Sequence, residues 1–189
     1  MIENTPDGWD TLAAAATPWE AAMWSQHGQT ERFIAVRALL GPLLREEDVV
    51  FDFGCGTARF SEFLPSSVEY VGFDWSPAMR SRAREDHPDA IVVDTLEGTS
   101  TFDHVVAIGP FNLRDGWSVK RTINQVELLW ALADMSLTLS LFTGASSPAM
   151  LSYSFEDISD MASMLDDRPG VLITNQHLPN DVLVRFVRR

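Results

Sequence analysis

Three carboxylates, each closing a short apolar run, have a clear chemical use in this sequence. Asp52 follows Val49-Val50-Phe51, Asp74 follows Tyr70-Val71-Gly72-Phe73, and Asp94 follows Ala90-Ile91-Val92-Val93. Runs of this kind read as buried parallel strands, and open α/β sheets hold ligands beyond the carboxyl ends of their strands. After Asp52 comes Gly54-Cys55-Gly56, a loop that can turn tightly and approach a ligand without a Cβ in the way. Asp74 lies about twenty residues past that loop, the spacing of a ribose-binding carboxylate. A carboxylate suits the task because it offers two oxygens that only accept. Cys55 reads as a small turn residue, since no base neighbours it to make it a nucleophile.

The elements that must position these acids follow in order. Thr17-Pro18-Trp19-Glu20 gives a cap, a first-turn proline and a third-position acid for a short helix. A second helix is expected from Thr30, with Phe33, Val36, Leu39 and Leu40 on one face and a stop at Gly41-Pro42. Residues 49–53 form the first strand, 58–64 a short helix before Pro65, and 70–74 the second strand. Ser76-Pro77 caps a helix that stops at His87-Pro88. Residues 90–94 and 104–108 are the third and fourth strands. A long helix follows Ser118, with Val119, Ile123, Val126, Trp130 and Ala133 at helical spacing, and 137–143 is the fifth strand. Ser154 caps a helix through Met161 and Leu165. Residues 171–175 and 182–187 form two final strands around a turn at Pro179-Asn180.

Strands alternating with helices predict an α/β fold: a three-layer sandwich with a seven-stranded, mostly parallel sheet and an antiparallel C-terminal hairpin strand. One domain over 1–189 is expected, with 1–44 a helical lid and 45–189 a nucleotide-binding core. In that frame Asp52, Asp74, Asp94 and the Gly109-Pro110-Phe111-Asn112 loop share the ligand end of the sheet.

The dinucleotide fingerprint would place a third glycine at 59, where this chain has Arg59, and it does not ask for Asp52. Asp-x-Gly-Cys-Gly followed by Tyr-Val-Gly-Phe-Asp-Trp-Ser-Pro resembles motifs I and II of the class I S-adenosylmethionine (AdoMet) methyltransferases. Gln29-x-x-Arg32-Phe33, Gly109–Asn112 and the closing strand pair are similar to those of a small stand-alone subgroup. The resemblance implies methyl transfer from AdoMet to an oxygen or nitrogen of a small-molecule acceptor. It implies that Asp52, Gly54, Cys55, Gly56, Asp74, Trp75, Asp94 and Gly109 bind the cofactor. Asp52 would face its amino group, Asp94 would accept from the adenine amino group, and Trp75 would cover the ring. Gly109–Asn112 stands at motif IV but begins with glycine, which removes the main support for a nucleobase-amine acceptor. Phe111, Asn112 and Trp24 are candidate acceptor-binding residues, with the 144–153 segment as a further wall. His177, at the end of a strand expected to be parallel to 49–53, and His27, in the lid, are candidate catalytic bases for a hydroxyl acceptor. Alternatives are a methyltransferase-like binding or assembly subunit without catalysis and a nucleotide-dependent oxidoreductase.

Composition sets the outer bounds. The 189 residues suffice for one sizeable core. With 27 acidic against 14 basic residues, the net charge of −13 argues against nucleic acid as a partner. One cysteine excludes an internal disulfide and suits a reducing compartment. No apolar run is long enough to suggest a membrane span, and the acidic start (Glu3, Asp7) is unlike a signal, so a cytoplasmic location is expected. No metal-ligand cluster is visible, and the oligomeric state cannot be read.

Overall fold

The computed structural model describes residues 6–114, 117–145, 147 and 149–189. Three helices, α1 (Pro6–Ala13), α2 (Pro18–Ala21) and α3 (Gln26–Leu40), precede strand β1 (Val49–Phe53). A 3-10 turn (Arg59–Phe63), β2 (Glu69–Phe73), α4 (Pro77–Asp86) and β3 (Ile91–Val93) come next. They are followed by β4 (Phe102–Ile108), α5 (Val119–Ala131), β5 (Ala133–Phe142), α6 (Phe155–Met164), β6 (Gly170–Thr174) and β7 (Asp181–Val187).

The strands make one seven-stranded sheet in the order β3-β2-β1-β4-β5-β7-β6. All pairings from β3 to β5 are parallel, and β7 slots antiparallel between β5 and β6. The expected three-layer sandwich with its C-terminal hairpin is therefore present. Chain order reverses between β1 and β4, so the loops after those two strands diverge and leave a crevice between them.

Alternation along the strands divides the core into two layers. Phe51 and Phe53 of β1 join Val105 and Ala107 of β4 against α5 and α6, whose Val126, Leu129, Ile158 and Met161 are buried there. Val50 and Val106 face the other way, onto Phe33, Val36 and Leu40 of α3. Among the described residues the first layer, that of α5 and α6, has no third helix beside them. The β3–β4 crossover, residues 94–101, carries no helix, and Leu96 packs there against the core instead.

Local signals explain most helix starts. Ser118 and Ser154 each accept from the third backbone N–H of the helix that follows, and Ser154 with Asp157 completes a reciprocal capping box. α1 stands where the sequence pattern is weak, and the start of α3 also differs from expectation. α3 begins at Gln26, not Thr30, because the Ser25 hydroxyl accepts from Gly28 N–H at 3.0 Å.

α3 is tied at its middle and at its end to residues of one face of β7. Arg32 Nε, midway along the helix, donates to Asp181 Oδ2 at 2.7 Å. Near the finish, the buried Arg185 guanidinium donates to the carbonyl of Leu39 and, at 2.9 Å, to Ser136 Oγ. A cation at that place meets the negative end of the helix dipole and fills carbonyls that would otherwise lack a partner. His104, wholly buried on β4, completes the network with Ser136 Oγ at 2.8 Å and Asp48 Oδ2 at 3.3 Å. Burial and Arg185 push its pKa down, with Asp48 opposing, so the ring is held neutral.

Candidate active site

The glycine loop folds back over the carboxyl end of β2. Gly54 N–H and Cys55 N–H both donate to Phe73 O, at 2.8 and 3.0 Å, and Gly56 N–H donates to Asp74 Oδ2 at 2.9 Å. Gly54 and Gly56 hold φ of +76° and +54°, the left-handed region that other residues enter at a cost. A Cβ at position 56 would meet nothing within 4 Å, so this backbone faces open space.

That space is a cavity of about 910 Å³, its mouth included, beyond the ends of β1, β2 and β4. Its floor holds Asp52, Asp74 and the glycine loop; its roof and far wall come from Trp9 of α1, Trp24, and Gln29 and Phe33 of α3.

Asp74 is buried, and both its oxygens are engaged: Oδ2 by Gly56 N–H and Oδ1 by Ser76 N–H at 2.9 Å. A carboxylate has about four acceptor sites, so each oxygen keeps one for a ligand hydroxyl. Burial raises its pKa, and the two backbone N–H donors oppose that rise. Asp52 lies deeper, its Oδ2 accepting from Tyr70 Oη at 2.8 Å. Burial pushes its pKa up to about 7, the Tyr70 bond lowers it, and Asp74 raises it. Cys55 lines the cavity as a thiol, its pKa raised well above its usual value by burial and then by Asp52 and Asp74. This agrees with its reading as a turn residue, not a nucleophile.

Trp75, Gly109, Asn112 and Trp24 also border the cavity. Gly109 has φ +83°, and a Cβ there would come within 2.5 Å of the Trp24 ring. Trp24 meets Phe33 edge to face at 6.2 Å and carries the Arg32 guanidinium 4.7 Å above its ring. Asn112 is partly committed to structure, since its Oδ1 accepts from Phe142 N–H at 2.9 Å.

The remaining expected site residues are not on the cavity wall. Asp94 is exposed and ion-paired to Arg84 at 2.8 Å and Arg80 at 3.0 Å, which hold its pKa below the ordinary value. Phe111 is wholly buried among Phe53 and Trp117, its carbonyl accepting from Tyr153 Oη. His27 projects into solvent, 3.9 Å from Glu31. His177 is buried against Asp181 at 2.9 Å, beside Arg32 and Ser140, and its Nδ1 has no partner among the described residues. Of the expected 144–153 wall, Met150 borders the cavity, while Ser146 and Pro148 lie outside the described residues.

Sequence reasoning passed over Arg59. It was noticed only as the missing third glycine, yet it lines the cavity with NH1 2.6 Å from Gln29 Oε1 and its guanidinium 5.7 Å from the Trp19 ring centroid. Asp10 was missed as well. It accepts from Ser76 Oγ and from Ala78 N–H, and so ties α1 to the start of α4. A cavity cation in so acidic a chain was a signal for the first; nothing in the sequence pointed to the second.

Residues 51–114 match the family model described as a methyltransferase domain. Among curated proteins, none matches this sequence. The fold is shared with magnesium protoporphyrin IX methyltransferase (ChlM) from Synechocystis PCC 6803 with bound S-adenosylhomocysteine, at TM-score 0.70 and 15% identity over 97% of this chain and 93% of that one. It is shared with the N-methyltransferase NodS from Bradyrhizobium japonicum WM9, at TM-score 0.71 and 13% identity over 98% and 99% of the two chains. CalS10, an amino pentose methyltransferase from Micromonospora echinaspora with bound AdoMet, gives TM-score 0.67 and 16% identity over 93% and 98%. Identities this low show the fold. The family match spans β1 to the loop after β4, and so takes in Asp52, the glycine loop and Asp74.

Solved structures of this fold hold AdoMet, and the residues present here fit that molecule. Asp52 and Arg59 offer one charge of each sign to an amino-acid end, Asp74 retains two acceptor sites for ribose hydroxyls, and Trp75 supplies an apolar face.

Proposed function

We propose that the protein methylates an oxygen or nitrogen of a small, largely apolar acceptor, with Trp24, Phe33, Leu113 and Met150 as the acceptor walls. The observation that carries this reading is continuity: those apolar side chains line the same cavity as Asp52, Gly56 and Asp74. An acceptor resting there would be enclosed beside the cofactor floor. Two neighbours of the same fold are named for small acceptors, magnesium protoporphyrin IX and an amino pentose, which supports the size class without naming the molecule.

AdoMet supplies a methyl group already attached to a good leaving group. The chain's own work is to bind, orient and exclude water. Asp52 and Asp74 fix the cofactor end, and the Trp24–Phe33 corner fixes the acceptor side. Holding two reactants in line can supply about 7–11 kcal/mol of a barrier. Neither His177 nor His27 borders the cavity, so the proposal assigns catalysis to positioning.

The test is methyl-labelled AdoMet incubated with the protein and separated small-molecule, protein and nucleic-acid fractions of a cell extract. Label in the small-molecule fraction is expected. Label in nucleic acid would overturn the reading, as would salt-sensitive micromolar binding to duplex RNA or DNA, because the net charge of −13 opposes phosphate contact.

A further inference from the structure

Asp52 and Gly72 are register partners in adjacent parallel strands. Tyr70, two residues before Gly72, therefore points to the same face of the sheet as the space above Gly72. With no side chain at 72, the phenol reaches across that space. A Cβ there would lie 3.1 Å from Tyr70 Oη and 3.0 Å from Cys55 Sγ. The hydroxyl arrives 2.8 Å from Asp52 Oδ2. Tyr70 is itself buried and does not border the cavity.

We propose that Tyr70 is a positioning residue for the cofactor's amino end: its hydroxyl holds Asp52 charged and fixed beside the glycine loop, so its loss weakens AdoMet at neutral pH and spares it in alkali. The inference rests on the cavity holding AdoMet. The surroundings of Asp52 leave Tyr70 a decisive part. From β2 come Tyr70 and the carboxylate of Asp74, and from the loop the Cys55 thiol. Arg59 lines the same cavity, α3 brings uncharged Gln29 and Phe33, and β4 presents Val106 as the strand partner. Burial and Asp74 both favour the protonated acid, and the phenol bond is what favours the carboxylate. A protonated Asp52 has no charge to offer an ammonium group.

The experiment is calorimetric binding of AdoMet to wild type and Tyr70→Phe between about pH 6 and pH 8.5. Each one-unit rise in the Asp52 pKa weakens binding about tenfold below that pKa and not above it. The variant should therefore bind about tenfold more weakly near pH 6.5 and converge on wild type near pH 8.5. Comparing the two proteins at each pH cancels the ligand's own amine titration. 5′-Methylthioadenosine, which lacks the amino-acid end, should bind both proteins alike. Equal loss at every pH, loss for 5′-methylthioadenosine too, or no loss at all would overturn the proposal. A second measurement needs no variant. Binding to wild type near pH 6.5 in two buffers of different ionisation enthalpy should reveal proton release as Asp52 becomes charged, and no release would equally overturn it. If wild type bound AdoMet at no pH, the cofactor reading itself would fall.

Discussion

The Asp10 carboxylate accepts from the hydroxyl of Ser76, the residue that begins α4 and whose own N–H donates to Asp74 at 2.9 Å. Two intervening bonds thus join the first helix to the Asp74 carboxylate on the cavity floor. Arg82 strengthens the joint by donating to the carbonyls of Ala13 and Ala15, at 2.9 and 2.6 Å, where α1 runs out. Trp9, on the same helix, is a cavity wall, so the docking of α1 bears on how long a ligand stays.

Asp10→Ala should therefore raise the AdoMet dissociation rate. Losing a hydrogen bond of this kind costs about 0.5–1.5 kcal/mol, or roughly two- to tenfold. Stopped-flow displacement reads the rate, and an unchanged value would separate α1 from cofactor retention.

Asp74→Ala should weaken AdoMet more. It removes the proposed ribose acceptor and also the partner of Gly56 N–H, which would be left facing the cavity. A hydrogen bond to a charged group is worth roughly 1.5–3 kcal/mol. Unchanged affinity by calorimetry would remove Asp74 from the site.

Stability should respond to pH through Asp52. Its folded pKa of about 7 stands above the ordinary carboxylate value of 3.8, so between those values the folded protein binds the extra proton. Stability is then fully present below the unfolded pKa and lost as pH rises toward 7, by a few kcal/mol. Asp52→Asn should flatten that fall in urea unfolding of the ligand-free protein. His104 acts at the other side with the opposite sign. Its pKa is lowered in the fold, so its contribution is lost as pH falls below about 6.5, where the unfolded chain takes up a proton. A wild-type profile with no fall between pH 4 and 7 that Asp52→Asn removes would contradict the first half of this account.

His177→Ala and His27→Ala should separate support from catalysis. Removing the buried His177 ring deprives Asp181 of one partner while Arg32 and Ser140 remain. A stability loss of about 1–3 kcal/mol is expected, with AdoMet affinity unchanged. His27 is solvent-exposed, and its loss should stay within about 0.5 kcal/mol. A general base would cost 10²–10⁴-fold in turnover. A drop of that size in either variant, at intact stability, would restore it as the base.

The sheet was legible because its strands are apolar runs that end in acids or glycines, and the glycine loop because two glycines beside Asp52 have few other uses. The edges of elements were less so. β5 begins at Ala133, four residues before the expected start. It follows α5 with no turn residue between, and its Ser136 reads as polar until His104 and Arg185 are seen bonded to it. Asp94 closes a strand as Asp52 and Asp74 do, so pattern alone could not tell them apart. What differs is the pair of arginines on α4 that draw it outward. His177 looked like a base because its strand runs the right way. Its side-chain partners, Asp181 and through it Arg32, are set by a helix 149 residues away from Asp181's own position in the chain, reckoned from Arg32. No local pattern encodes such a contact.

The contact between Trp24 and Gly109 has a consequence for how this chamber can change over generations. A side chain at 109 would need both to tolerate a φ of +83° and to displace an indole edge 2.5 Å away. The two positions are thus coupled. A smaller residue at 24 would lift the steric bar at 109 while leaving the backbone strain there. Libraries that vary the two sites together would reach acceptor shapes that single replacements at either position cannot, while leaving the Asp52–Asp74 floor unaltered.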